Sequence, residues 1–475
     1  MQAADLVETA PRTLDVGYLP PQPPRSARWL DGCREHWRPE FSAVPGPQIG
    51  HNFTDAQRLC RTTRTPKYAH CFGSALSDRY LVLEPTLGRN IVALDDIKSW
   101  YALGVRDGRP RSRVDCPRAA LLGCAARPAP PPLRRPLTCA SRGRAVDGLL
   151  LAIGVTSYPS ELAYRRRNAS RATWMAETAP QRQEAPVLAC FVLSSMYDPA
   201  TQRALEDEAA RYGDMVFVDA PETSELIRSG MKHSSGKKGR GLPTFKQYAF
   251  FEHAVRHWAG VAFVGKIDDD SLVNVRQLVP LLAPLRCRRR VFVGSMQWTG
   301  WVPQDLETGI RGSPCAQGSG LYDSLLTFAH ERWRCDERGA VLPFPYGFGM
   351  GYIFSADLLR WLARDPGVRR WVEEARGPTR EALQWQHYED TTTGYWLSHA
   401  PMRVTYVSIA RWSHDSGCHA DGANRRDEGH MSRPASGASM LVHGLKRGGF
   451  EYAWRSATGG AAYDHEECRR AAVEF

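Results

Sequence analysis

No stretch of this chain approaches the roughly 20 consecutive apolar residues of a membrane-crossing helix. The longest apolar run, "GLLLAIGV" at 148–155, reads instead as a core strand. The start, "MQAADLVETAPRT", has acids where a signal peptide carries a basic segment and an apolar run. Read literally the chain is soluble; a truncated or misjudged start is the competing reading. None of the 12 cysteines lies in a CxxC pair, which argues against a zinc ribbon or a thioredoxin-type centre. Their scatter suits buried thiols or a few disulfides in an oxidising compartment. Nor is there a block of Lys and Arg interleaved with aromatics, so the formal charge of +11 does not mark a nucleic-acid surface. No phosphate-cradling glycine loop follows the first strong strand signal, as a P-loop enzyme would require.

The positive charge that is present is uneven. Residues 1–147 hold 22 Lys and Arg against 14 Asp and Glu, about three-quarters of the whole excess. This region is Pro- and Arg-rich, with "YLPPQPPRSARWL" and "RPAPPPLRRPL" at its ends, and is expected to be poorly structured. Between them "RYLVLEP" reads as a strand and "NIVALDDIKSWYAL" as a short helix. Two sequons, at Asn52 and Asn168, permit glycosylation.

From Leu149 the texture changes to alternating strand and helix. "LLLAIGVTS", "PVLACFVLSS", "DMVFVDA" and "VAFVGKI" read as strands, the first two as continuous apolar runs buried on both faces. "SELAYRRRNASRATWMAET" carries Leu162, Arg166, Ala169 and Thr173 at helical spacing behind a capping Ser160. "TQRALEDEAARYG" is a helix closed by Gly213, and "LPTFKQYAFFEHAVRHW" a longer one. The order predicts an α/β domain over 148–450, with a mostly parallel central sheet and helices on both faces, followed by a tail at 451–475. In such folds ligands sit outside the carboxyl ends of the strands. The strand "VAFVGKI" ends there on three acids, Asp268, Asp269 and Asp270. Like charges this close repel, and a divalent cation at Asp268 and Asp270 relieves them; oxygen-rich ligation suits Mn²⁺ or Mg²⁺. Alternation in an extended segment lets Asp268 and Asp270 share a side while Asp269 turns away. The blander reading is a solvated acidic turn, or Asp270 as N-cap of the helix in "SLVNVRQLVPLL".

The run "KIDDD" resembles the Lys-x-Asp-Asp-Asp signature of glycosyltransferase family 31, the β-1,3-galactosyl- and N-acetylglucosaminyltransferases. "LAIGVTSYPSELAYRRRNASRATW", "RYGDMVFVDAPET", "LPTFKQYAFFEHAVRHW", "YGFGMGYIFSADLLRWL" and "YEDTTTGYWLS" are similar to that family's other segments, in the same order. The chain departs from the pattern at Ser271-Leu272, where the family has an aromatic, at the basic loop "RSGMKHSSGKKGRG" of 228–241, and over 296–340.

The resemblance implies a GT-A nucleotide-sugar transferase fold and inverting transfer of galactose, or an N-acetylhexosamine, from a UDP-sugar to a glycan or glycoprotein hydroxyl. It implies Asp270 as the firmest metal ligand, with Asp268 on metal or ribose, and a late His completing the site: His443 in "SMLVHGLKRGG", with His414 its rival. Arg166, Arg171, Lys246, Asp269 and Lys446 are the further donor-binding candidates. Asp390 is the expected base for the acceptor hydroxyl, with Glu389 structural or acceptor-binding. Trp298 and Trp301 are candidates to stack on a sugar ring. The family also implies a Golgi membrane location on the lumenal side, although no span is visible. Two other readings remain: a Mg²⁺-dependent phosphotransferase or nuclease, and a catalytically silent carbohydrate-binding relative.

Overall fold

The computed structural model describes residues 81–85, 100–106 and 109–114 and, with breaks, 138–459. The main breaks fall at 115–137, 142–145, 179–186, 223–242, 303–312, 320–340, 376–387, 416–436 and 446–448. In chain order the elements begin with three strands, β1 Leu81–Pro85, β2 Trp100–Arg106 and β3 Arg109–Val114. Then come β4 Leu151–Thr156, α1 Glu161–Ala172, β5 Val187–Ser194, α2 Pro199–Tyr212 and β6 Met215–Val218. Next are α3 Pro243–His257, β7 Phe263–Asp268, β8 Leu272–Val273 and α4 Val275–Leu282. They are followed by β9 Val291–Val302, β10 Ser313–Ser319, β11 Val341–Ser355, α5 Ala356–Arg364 and α6 Pro366–Glu374. The last are α7 Glu389–Ser398, β12 Thr405–Ser408, β13 Ser413–Asp415, β14 Leu441–His443 and α8 Gly449–Gly459.

The α/β expectation holds. Strands β7, β4, β5 and β6 lie side by side and parallel, in that order. Successive connections run outward from β4 in one direction to β5 and β6, then return to β7 on its other side. That reversal opens a crevice at the carboxyl ends of β4 and β7. Thr156 is in register with Asp268 across the crevice. β11 runs antiparallel between β7 and β9, with Tyr352 opposite Lys266, so the sheet is mixed beyond these four parallel strands. β12 and β1 continue it in parallel, and β2 and β3 as an antiparallel pair. Trp100–Arg106, which overlaps the end of the segment read as helical, is a strand; pairing with β1 overrides the local pattern there.

Strand alternation divides the core into two layers. Ala152, Leu188, Cys190 and Val192 face one side with Phe250, Phe251, Leu358, Val372 and Trp396, from α3, α5, α6 and α7. Leu151, Ile153, Val155, Phe191 and Leu193 face the other with Leu205, Leu278 and Phe450, from α2, α4 and α8. Helix α8 crosses residue 450 and caps this second layer; Asn274 Nδ2 donates to the carbonyl of Ala457 at 2.9 Å. Ahead of β4, Cys139 is disulfide-bonded to Cys190 of β5.

Ser160 caps α1 as expected, its Oγ accepting from the amide of Ala163 at 3.2 Å. The face it buries is shifted from the one read in the sequence: Ala163, Arg167 and Ser170 are buried, and Leu162 is 39% exposed. A charged residue takes the core position because Arg167 pairs with buried Glu208 of α2, Nε to Oε1 at 2.8 Å and Nη2 to Oε2 at 2.5 Å. The same helix carries the Asn168 sequon in its interior. Its amide oxygen accepts from Arg171 at 2.8 Å and the Ser170 hydroxyl is buried, so this sequon is not presented for glycosylation.

Helix α7 docks directly on β11 at Gly394. A Cβ there would lie 2.3 Å from Tyr346 Cβ and 3.0 Å from the carbonyl oxygen of Pro345. Gly394→Ala is therefore expected to destabilise the fold by about 1–3 kcal/mol, despite alanine's better helix propensity. Chemical denaturation checks this; an unchanged midpoint would remove the close approach as the reason for glycine.

Candidate active site

The triplet closes β7 at the mouth of the crevice. Asp269, 5% exposed, turns toward β4: its carboxylate accepts from Ser157 Oγ at 3.1 Å and from Arg166 Nη1 at 2.8 Å. Burial pushes its carboxyl up to about 6, with Arg166 pulling the other way and Asp270 and Asp268 adding to the rise. Asp270 faces Arg166 Nη2 at 3.6 Å, and its backbone carbonyl accepts from the amide of Leu445 at 3.0 Å. It does not cap the following helix: α4 begins at Val275 with Asn274 in the cap position.

A small second sheet, β13-β14-β8, carries the late histidine to this point. Leu441 and Val442 pair antiparallel with Val273 and Leu272, directly after the triplet. His443 Nε2 consequently lies 3.4 Å from Asp270 Oδ1, its ring edge-on to Phe348 at 5.8 Å between centroids. One ligand atom each from Asp268, Asp270 and His443 falls within 4.8 Å of the others. His414, on the neighbouring strand in register with Val442, is not part of this group. Two carboxylates and an imidazole around one point are a donor set suited to Mn²⁺ or Mg²⁺.

The second half of the site comes from β11 and α7. Lys266, fully buried two residues before Asp268, donates to Asp268 Oδ1 at 2.5 Å and to the carbonyl of Gly349 at 2.9 Å, and makes a shorter contact with Glu389 Oε1. Gly349 in turn donates its amide to Asp390 Oδ2 at 3.1 Å. Asp390 Oδ1 accepts from the amide of Thr391 at 2.6 Å, within the first turn of α7. A Cβ at Gly349 would lie 3.4 Å from Asp268 Oδ2, 3.5 Å from Asp390 Oδ2 and 3.6 Å from Glu389 Oε1. Asp268, Glu389 and Asp390 therefore surround one small space. Of the glycines in "YGFGMGY", Gly349 opens onto the acids. Gly351 and Gly347 give room to Ile267 and Tyr352, where an added Cβ would meet side-chain carbon at 2.4 and 2.8 Å.

The basic candidates separate. Arg166 reaches the triplet. Lys246 is buried at the end of β4, where Nζ meets the carbonyl of Ser157 at 2.7 Å and Glu222 at 2.5 Å, 3.9 Å from the Tyr158 ring centroid. Burial lowers its ammonium's proton affinity. Arg171 is held by Asp214, at 2.7 and 3.0 Å, and by Glu208 at 2.9 Å, with its guanidinium 3.8 Å from the Tyr212 ring centroid. Lys446 and the side chains of Trp298 and Trp301 lie outside the described residues. Sequence reading passed over Lys266, Ser157 and Gly349. The signal for Lys266 was its place two residues before Asp268 on one strand face.

A family model described as Galactosyltransferase matches residues 165–228 and 242–372. Over these residues the chain is similar to the galactosyltransferase family. The match omits 229–241, which lie within the basic loop that departs from the pattern. It includes the triplet and Gly349, and ends before Glu389, Asp390 and His443. The mouse protein "Beta-1,3-galactosyltransferase 6" is 31% identical over 54% of this chain and 61% of its own length. "Probable beta-1,3-galactosyltransferase 4" of Arabidopsis thaliana is 26% identical over 51% and 52%. The rat "UDP-GalNAc:beta-1,3-N-acetylgalactosaminyltransferase 1" is 26% identical over 44% and 52%. The chain thus spans between about half and three-fifths of the length of these curated relatives.

Electrostatics in the site make one measurable demand. Burial pushes the Glu389 carboxyl up to about 7, with Asp390 and Asp268 adding to the rise and Lys266 opposing it. A carboxyl raised in the folded state holds its proton where the unfolded chain has released it. Its contribution to stability is present below the ordinary carboxylate range and lost as pH rises through about 7. With divalent cations chelated, the melting-temperature difference between wild type and Glu389→Gln should shift in favour of wild type as pH falls from 8 to 5. A difference independent of pH would refute the raised acid.

Proposed function

We propose that this domain is an inverting, metal-dependent hexosyltransferase. It moves galactose, or an N-acetylhexosamine, from a UDP-sugar to a glycan hydroxyl, forming a β-1,3 linkage in protein glycosylation. The observation that carries this reading is the convergence of two groups on one crevice. Asp268, Asp270 and His443 meet at one end, and Asp390 lies beside Asp268 across Gly349.

Asp268, Asp270 and His443 would hold Mn²⁺ or Mg²⁺. Such a cation, when bound, supplies charge to offset a departing diphosphate. The remaining work falls to the chain's own groups. Asp390 takes the acceptor proton as the new glycosidic bond forms on the face opposite the leaving UDP. The amide of Gly349 and the first turn of α7 hold Asp390 in place for this. Arg166 and Ser157 hold Asp269 turned toward β4, which leaves Asp268 and Asp270 to the other side. Lys246 and Glu222 brace the carboxyl end of β4 beneath the expected donor position.

The buried Cys139–Cys190 disulfide supports an oxidising compartment, and with the family it favours the Golgi lumen. Among the described residues no helix is long and apolar enough to cross a membrane. Membrane association is part of the proposal on family grounds alone.

UDP release and sugar transfer should be measured with UDP-galactose, UDP-N-acetylglucosamine and UDP-N-acetylgalactosamine, with and without Mn²⁺. Asp390→Asn should lower transfer by at least about 1,000-fold while UDP binding by calorimetry stays within about threefold. Equal loss of both would give Asp390 a folding role instead. Asp270→Ala should remove Mn²⁺-dependent UDP binding; unchanged metal dependence would refute it as a ligand. Phosphodiester hydrolysis by the wild type, without sugar transfer, would favour the nuclease reading.

A further inference from the structure

Lys266 is 1% exposed, and a buried ammonium without partners is costly enough that the group would lose its charge or the fold its stability. Its three N–H donors meet three oxygens: Asp268 Oδ1, the carbonyl of Gly349 and Glu389 Oε1. These come from β7, β11 and the start of α7, the elements on which the two halves of the site are built. Each partner touches a group with work to do. Asp268 belongs to the candidate cation site, Gly349 holds Asp390 through its amide, and Glu389 precedes Asp390 in the chain.

The contact with Oδ1 leaves Asp268 Oδ2, 3.4 Å from where a Cβ on Gly349 would sit, as the carboxylate oxygen that Lys266 does not hold. The contact with Glu389 pins the first residue of α7, and the helix phase of Asp390 with it. One ammonium thus sets the spacing between a carboxylate on the donor side and one on the acceptor side. Positions of reacting groups matter at this scale, since a misplacement of about 1 Å can cost about 100-fold in rate.

We propose that Lys266 is a positioning residue that locks Asp268 and Asp390 into one register, with Glu389 as its counter-ion. The inference rests on the transferase reading and assigns Glu389 to bracing, leaving Asp390 alone as the proton acceptor. It also separates two properties that a general structural role would move together. Removing the ammonium takes a competing cation away from Asp268, so metal binding should not weaken. Removing it also frees α7 from β7, so transfer should slow.

The test uses the full chain carrying Lys266→Met, Glu389→Gln and both together. Transfer kcat and donor KM are measured separately, Mn²⁺ binding to the nucleotide-free protein is read by electron paramagnetic resonance, and donor hydrolysis is compared with transfer. Lys266→Met should lower transfer kcat by at least about 100-fold. Donor KM and Mn²⁺ affinity should stay within about threefold or tighten, and the share of donor lost to water should rise. Adding Glu389→Gln to Lys266→Met should cost no more than about threefold further, because the two act as a unit. If Lys266→Met does not fold, Glu389→Gln alone should show the same split between kcat and Mn²⁺ binding.

Transfer within about tenfold of wild type, additive losses, or kcat and Mn²⁺ binding falling in parallel would each overturn the inference. A wild type that releases no UDP from any UDP-sugar would overturn the transferase reading, and this inference with it. An active wild type with an unaffected Lys266→Met overturns the inference alone.

Discussion

Five carboxylates, Asp268, Asp269, Asp270, Glu389 and Asp390, gather at the carboxyl end of β7, and four of them are buried. Their mutual repulsion is the constraint around which the site is organised. Arg166 answers it on one side, reaching Asp269 and Asp270, and Lys266 on the other, reaching Asp268 and Glu389. Between the two cations lies the edge where His443 arrives beside Asp268 and Asp270, the candidate cation site. Basic residues here act on acids of the same chain before any ligand is considered. Burial makes each pairing necessary, because an uncompensated charge in this crevice would cost several kcal/mol.

The topology explains why the acids can be assembled from distant segments. The reversal of strand order at β4 and β7 leaves a gap above their ends, and the triplet closes one strand of that gap. The insertion of β11 antiparallel beside β7 then delivers Gly349 over the acids, and α7 leans against β11 through Gly394. The short β13-β14-β8 sheet brings His443 back from more than 170 residues later in the chain. Each route depends on a position without a side chain or on a non-local strand pair.

Those two kinds of dependence also mark the boundary of what could be read in the sequence. β4 to β7 and α1 to α3 were legible, since buried parallel strands are continuous apolar runs and the helices carry cap signals such as Ser160 and Gly213. β11 was visible as a motif but not as a 15-residue strand, because its glycines and prolines argue against one locally. The burial phase of α1 was misread by one residue, because Arg167 enters the core only with Glu208 from α2 as its partner. In the site, the triplet and the Glu389-Asp390 pair were legible as clustered acids. Convergence of His443 with Asp268 and Asp270 required a strand pairing that no local pattern encodes. Lys266 stood in the quoted motif, yet its three partners come from three different elements. Arg171 shared the motif with Arg166, but the helix turn between them points it to Asp214.

The Cys139–Cys190 bridge fixes where this domain can be cut. Cys190 sits in the middle of β5 at zero exposure, and its partner lies nine residues before the expected start at 148. A recombinant fragment begun at 148 would leave a lone thiol inside the central sheet. One trimmed to the family-matched 165–372 would also discard β4, α7 and β14. A fragment that keeps the bridge and the site starts ahead of Cys139 and runs through α8, one that also keeps β1 against β12 starts ahead of Leu81, and either should be produced where disulfides form.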